Sequence, residues 1–231
     1  MMKRLSLGLA FAVVASLLLI TGCASSKQAR SVEHEGYLVD HSILVKGEKG
    51  EALLRYPNPD RDLESYNKIM LDPILFSQPD NASPAQLADL QKLANNFYTY
   101  LYQELEKDYT MVRAAEPGAM RIQIAILNAQ KSNVVTNTVS SVSPIGMGVS
   151  VTKDFVTGKS VGVGEITAEL KATDAVTGEL LGAAVDRRVG GKNPNSIIDT
   201  WADANAAMEY WAKRLSHTLC FERGDTECVM P

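Results

Sequence analysis

The chain has 231 residues, 45% of them hydrophobic and 22% charged, with a formal net charge of −4. That is enough apolar material for a core, in one domain or one domain with embellishments. The acidic balance and the lack of a basic stripe argue against a nucleic-acid partner and against electrostatic adhesion to anionic lipid.

The first element is a leader. Met1-Met2-Lys3-Arg4 is basic, and Leu5 to Ile20 runs 16 residues without a charge. This run is shorter than the roughly 20 apolar residues of a spanning helix, and small residues follow it, so it reads as a secretory signal peptide rather than a retained anchor helix. Its exit, Ile20-Thr21-Gly22-Cys23, resembles the lipobox of bacterial lipoproteins. The resemblance implies a diacylglycerol on the Cys23 sulfur, cleavage before Cys23 and acylation of the new amine. Leucine is commoner than isoleucine at the position of Ile20, and an ordinary cysteine in a discarded peptide is the alternative. Each buried CH₂ contributes about 0.8 kcal/mol, so two or three chains would hold the protein to a bilayer. By the same resemblance, Ala24 rather than aspartate after the cysteine implies sorting to the outer membrane, with the body on its periplasmic face. Residues 1–22 are then the signal and 23–36 a lipidated flexible tether. Removing the signal leaves 209 residues and a side-chain charge of −6.

Tyr37 to Val45 and Ala52 to Tyr56 read as short strands or irregular chain around Lys46-Gly47-Glu48-Lys49-Gly50. Lys68 to Phe76, KIMLDPILF, predicts a core strand, with a bulge or edge where Pro73 lacks an N–H. Ser83-Pro84-Ala85-Gln86 predicts a capped helix start. Leu87, Leu90, Ala94, Phe97, Leu101 and Leu105 then form one apolar stripe, flanked by Tyr98, Tyr100 and Tyr102. Tyr109 to Arg113 and Met120 to Ala129 predict strands. In the second, Ile122, Ile124 and Ile126 oppose Arg121 and Gln123, as in a half-buried strand.

Residues 132–164 are rich in Ser, Thr, Val and Gly. They read as a long excursion between strands. The sharper alternative is a membrane-inserting hairpin of an oligomeric secretion-type pore, because Met147, Val149, Val151 and Phe155 alternate with smaller or polar residues. Glu165 to Asp174 and Glu179 to Val189 predict a hairpin about Val176-Thr177-Gly178, with Leu181, Ala183 and Val185 on one side and one solvated face. Asn195 or Ser196 is the expected cap of a last helix carrying Ile197, Trp201, Ala204, Met208, Trp211 or Ala212, Leu215 and Leu219 inward. Cys220 and Cys228 remain as an even pair in an exported chain, which predicts a disulfide tying the tail 221–231. A metal site is the rival, and it lacks a second histidine at ligand spacing near His217.

Catalytic signals are weak. Asp72 is an enzyme candidate, but a carboxylate accepting local backbone bonds at the kink is the plainer reading. Gly158-Lys159-Ser160-Val161-Gly162 matches G-x-S-x-G, yet a strand pattern follows it where a nucleophile elbow needs a helix. His34, His41 and His217 are too scattered for a triad or a zinc site. Gly190-Gly191-Lys192 and Gly146-Met147-Gly148 are incomplete as phosphate or dinucleotide loops.

The strings SYNKIMLDPILF, RIQIAI and GVGEITAELKATDAVTGELLGAAVDRR, with the two helices, resemble an uncharacterised family of bacterial lipoproteins, the domain-of-unknown-function family numbered 3313, over Gly36 to Leu219. That family carries no established activity, so no functional residue follows from it. The expectation is one α+β domain over 37–220, an antiparallel or mixed β-sheet with two main helices on one face in a two-layer sandwich. The expected role is a non-catalytic, protein-binding or accessory one in the cell envelope, through envelope proteins or self-association. No cofactor is expected beyond the acyl groups on Cys23. A hydrolase is the weaker alternative.

Overall fold

The structure is a computed structural model that describes residues 26–32, 35–78, 81–132, 164–190 and 199–231. The lipobox residues Ile20, Thr21, Gly22 and Cys23, the excursion from 133 to 163 with Ser160, His34, and the expected caps Asn195 and Ser196 lie outside them.

The chain forms strands β1 (Ser26–Gln28), β2 (Val45–Lys46), β3 (Leu54–Pro57), β4 (Lys68–Leu71) and β5 (Leu75–Phe76), then helix α1 (Pro84–Leu105). Strands β6 (Thr110–Val112), β7 (Ala119–Gln130), β8 (Glu165–Asp174) and β9 (Leu180–Gly190) follow, and helix α2 (Ala202–Glu222) closes the domain. The nine strands among the described residues join one mixed sheet ordered β2-β3-β9-β8-β7-β4-β6, with β1 added to β9 and β5 to β7. The α+β sandwich expected from the sequence is the observed fold.

Local chemistry explains most boundaries. Ser83 Oγ accepts from the Gln86 N–H at 3.3 Å while Gln86 Oε1 accepts from the Ser83 N–H at 2.9 Å, so both partners of the capping box are made. Leu90, Ala94, Phe97, Leu101 and Leu105 are buried along the α1 stripe. At Asp72-Pro73 the expected single strand divides. Leu71 pairs with Ile122 and Leu75 with Ala125, so four steps on one strand match three on its parallel neighbour. That is the bulge the missing proline N–H requires. Gly178, at φ 74°, turns the β8–β9 hairpin through backbone space that an L side chain rarely enters.

Three expectations are corrected. First, residues 23–36 are not wholly a loose tether. Ser26, Lys27 and Gln28 pair antiparallel with Gly190, Val189 and Arg188. Second, α2 begins at Ala202. The Asp199 carboxylate accepts from the Trp201 N–H at 2.9 Å and the Asp199 carbonyl from the Ala202 N–H at 3.1 Å, so this stretch is a turn and Trp201 stands before the helix. Third, the far face of the hairpin is not solvated. Glu165, Thr167 and Glu169 are 4%, 0% and 0% exposed.

The cover over that face is the segment from the end of β1 to the start of β3. Val32, Leu38, Leu44 and Leu54 pack on Ala125, Leu127 and Val185 as a second, smaller core. Glu169 fastens it: Oε2 accepts from the N–H groups of Tyr37 (2.8 Å) and Leu38 (2.9 Å), and Oε1 from that of Val39 (3.1 Å). Three consecutive amides thus share one buried carboxylate, and His41 Nε2 stands 3.3 Å away. The main core lies under the helices and joins Ile69, Ile122, Ile124, Ile126 and Ile166 to Phe97, Leu101 and Met208. A register shift between Ala172 and Thr173 breaks the alternation of β9. Leu181 therefore joins the helix-side core while Val185 joins the smaller one, rather than sharing one side.

The ends of the outlying chain gather at one pole. Gly190 N–H donates to the Gly164 carbonyl at 2.8 Å, Ser132 N–H to the Thr200 carbonyl at 2.9 Å, and Ser26 pairs with Gly190. Buried Asp203 knits them. Its Oδ2 accepts from Ser132 Oγ at 2.6 Å and from the Gly164 N–H at 3.0 Å, and a Cβ on Gly190 would fall 2.3 Å from its carboxyl carbon.

Candidate functional site

A half-open cavity of about 590 Å³ lies between α2 and the helix-side face of β8 and β9, with β3 and Arg61 at its rim. Its origin is legible in side-chain size. In the paired register Ala168, Ala172, Gly182 and Ala184 share the helix-side face, and small side chains leave the sheet floor low beneath the helix. Phe97, Leu101, Leu170, Leu181, Leu215 and Leu219 supply apolar walls.

Two charged residues stand on that floor. Asp186 is 8% exposed and accepts three hydrogen bonds: Trp211 Nε1 donates to Oδ2 at 2.7 Å, while Gln28 Nε2 (2.7 Å) and the Leu53 N–H (3.3 Å) donate to Oδ1. Burial pushes its carboxyl above the ordinary aspartate value, opposed by those three donors and by the field of Arg188. Arg188, also 8% exposed, donates to Ser26 Oγ at 3.0 Å and to the Ser26 carbonyl at 2.8 Å, and its guanidinium lies 3.7 Å from the centre of the Tyr210 ring. Burial lowers its pKa. These two side chains tie β1 and α2 to β9. They anchor structure and leave few unused donors inside the cavity.

The rim is richer in cations. Arg55 pairs with Glu51, and Arg61 with Glu222. Arg214 lies 3.5 Å from His217 Nδ1 and 3.4 Å from Met230 Sδ; it makes no ion pair within 4 Å among the described residues, although its field reaches the Glu51 carboxylate. The tail bearing Met230 is held there by the Cys220–Cys228 disulfide, at 2.03 Å between sulfurs, which the sequence predicted.

Asp72 is elsewhere. It receives Arg121 Nε at 2.9 Å, Arg121 Nη2 at 2.7 Å and Gln123 Nε2 at 3.2 Å, all from β7. Its side-chain partners are thus on the neighbouring strand, not local backbone as the sequence reading had it, and it does not line the cavity. Among the described residues no group of three or more His, Cys, Asp or Glu is placed to hold a metal ion, and no helix is long and apolar enough to cross a membrane. The cavity itself was not foreseen. The signal for it was the run of Ala and Gly at alternating positions of two strands that otherwise read as plain hairpin.

No curated protein matches the sequence. Among solved structures, the chain is similar to a PelC dodecamer subunit from Paraburkholderia phytofirmans, at 8% identity and TM-score 0.38, covering 75% of this chain and 96% of that one. It is similar to a candidate lipoprotein from Caulobacter crescentus CB15, at 11% identity and TM-score 0.34, covering 71% and 95%. A DUF4136 family protein from Bacteroides thetaiotaomicron VPI-5482 follows at 12% identity and TM-score 0.32, covering 68% and 92%. The sequence profile of one family, described as "Protein of unknown function (DUF3313)", matches residues 33–215, and the chain belongs to that family.

Proposed function

We propose that this protein is a lipid-anchored lipoprotein of the outer membrane that works on the periplasmic face by binding, without catalysis, as an accessory component of the envelope. The observation that carries the reading is the place of β1. The sheet begins at Ser26, three residues after the Cys23 of the lipobox-like ITGC. Three extended steps span at most about 10 Å. A diacylglycerol on Cys23 would therefore hold the folded body close to the bilayer by its pole at Ser26, Ser132, Gly164 and Gly190. A short leash suits a protein that meets partners at the membrane surface. The non-catalytic part rests on the engagement of Asp186 and Asp72, each occupied by several donors rather than poised beside a proton acceptor.

The test is metabolic labelling with palmitate, followed by membrane fractionation on a density gradient. The expected result is label in the wild-type chain, migration with outer membrane, and loss of both in Cys23→Ser. Label persisting in Cys23→Ser, or wild-type protein free of membrane after lysis, would overturn the anchor. Hydrolytic turnover of a panel of ester substrates, abolished by Asp72→Asn or Ser160→Ala in a folded protein, would overturn the non-catalytic reading.

A further inference from the structure

We infer that the cavity between α2 and the floor of β8 and β9 binds one anionic single-chain amphiphile, with its acyl chain inside and its headgroup on Arg214. This goes beyond the anchor and stands whether or not Cys23 is acylated.

Three observations carry it. The first is capacity. A cavity of 590 Å³ falls within the range of small-molecule sites. At about 30 Å³ for a unit the size of a water or a methylene, it holds roughly 20 such units. One chain of twelve to sixteen carbons fits with its head, and a two-chain lipid does not. The second is polarity. Phe97, Leu101, Leu170, Leu181, Leu215 and Leu219 face the space, while the buried Asp186 and Arg188 are already taken by Trp211, Gln28, Ser26 and Tyr210. A polar metabolite would find few free donors within, and an alkyl chain needs none.

The third is charge. Arg55, Arg61, Arg188 and Arg214 line the cavity against Glu51, Asp186 and Glu222, an excess of one cation in a chain whose net charge is −4. The carboxylate of Glu169, also on the lining strand, is turned to the opposite face and spent on Tyr37, Leu38 and Val39. Arg214 is the cation whose contacts are a ring nitrogen and a thioether sulfur. Neither contact brings a negative charge, so an anionic carboxylate or phosphate head would displace them. The C-terminal tail at Met230, stapled through Cys228, lies beside that head position and would pack on the first methylenes.

The experiment uses the full chain in its membrane and dodecanoate carrying a terminal diazirine. After irradiation, digestion and mass spectrometry, label is expected on peptides of α1, β8 and α2 that face the cavity. Ala184→Phe fills the floor and should reduce that label at least about tenfold, and the milder Ala184→Leu should reduce it in part while the protein melts as wild type. Arg214→Glu should weaken capture about tenfold, the size of one charge-assisted hydrogen bond, and Arg214→Lys should restore most of it. A dodecyltrimethylammonium probe with the same diazirine should label poorly. Competition by unlabelled lysophosphatidylglycerol beyond that by dodecanoate assigns the head to a phospholipid, and the reverse assigns it to a free fatty acid; either supports the inference. Label confined to exposed surface, label indifferent to Ala184→Phe, or equal capture of the cationic probe would overturn it. So would a photocrosslinking side chain at position 184 that captures polypeptide instead, since the cavity would then be a protein groove.

Discussion

Replacing Glu169 by Gln tests the clasp that covers the second face of the sheet. The side chain keeps its shape and loses its charge, and one of its two oxygens becomes an NH₂ donor. If the oxygen stays toward Tyr37 and Leu38, their two bonds persist but fall from charge-assisted to neutral, about 0.5–1.5 kcal/mol each. The Val39 N–H, now facing a donor, is left unsatisfied at a cost of about 1–3 kcal/mol. Relief from burying a charge returns part of this, so the clasp should weaken by about 2–4 kcal/mol. The loss has a ceiling. If residues 35–44 open with the main core intact, the global transition reports only the free energy of that local opening. Two assays separate the regimes. Hydrogen exchange should show the amides of Tyr37, Leu38 and Val39 losing protection, while those of β7 change little. A urea melt should shift by no more than the loss seen in exchange. Unchanged protection at 37–39, or loss of it equal in β7 and at the clasp, would refute the reasoning.

Phe97→Ala removes a ring that is 2% exposed and 5.9 Å from Trp211, and should cost about 3–5 kcal/mol in a denaturant melt. Ser83→Ala dismantles the capping box of α1 and should cost about 1 kcal/mol, with the loss of exchange protection confined to the first turn. Replacing Cys220 and Cys228 by Ser opens a nine-residue loop and should lower stability by at most about 2–3 kcal/mol, with the tail beyond Glu222 becoming protease-sensitive first. Tyr66, pushed up to about 12 mainly by burial and then by its bond to Asp174 at 3.0 Å, gives a pH test. Its unfolded phenol ionises near 10. Between about 10 and 12 the folded state holds the proton that the unfolded state has released, so stability falls as pH rises through that window. In an absorbance titration of phenolate, Tyr66→Phe should remove a step near 12, and a wild-type curve complete by pH 11 would contradict it.

The helices, the hairpin and the core strands were legible because each carries a periodic signal. Leu90, Ala94, Phe97, Leu101 and Leu105 follow the helical repeat, and Ile122, Ile124 and Ile126 the strand repeat. The cover over Glu169 was not, because Glu165, Thr167 and Glu169 alternate as a wetted face does. Only a distant segment, 130 to 132 positions earlier, converts that face to an interior one. The cavity was hidden for a related reason. Ala168, Ala172, Gly182 and Ala184 are ordinary sheet residues singly, and the space above them appears only when register sets them side by side under α2. Asp72 was visible as a charge within an apolar run, but its partner Arg121 lies 49 residues on, beyond any local pattern. The α2 boundary was missed because the apolar spacing from Ile197 to Trp201 continues the helical repeat, and it does not reveal the turn that Asp199 closes on Trp201 and Ala202.

The carboxyl group of Asp203 fills the volume that any side chain at position 190 would need. Glycine there is thus a lock as much as a bend. A single added methyl would evict the acid that receives Ser132 and Gly164, and the two mouths of the 133–163 segment would lose their common seat. The residues that meet there are therefore constrained together, and across relatives the serine–aspartate–glycine trio should change together or not at all.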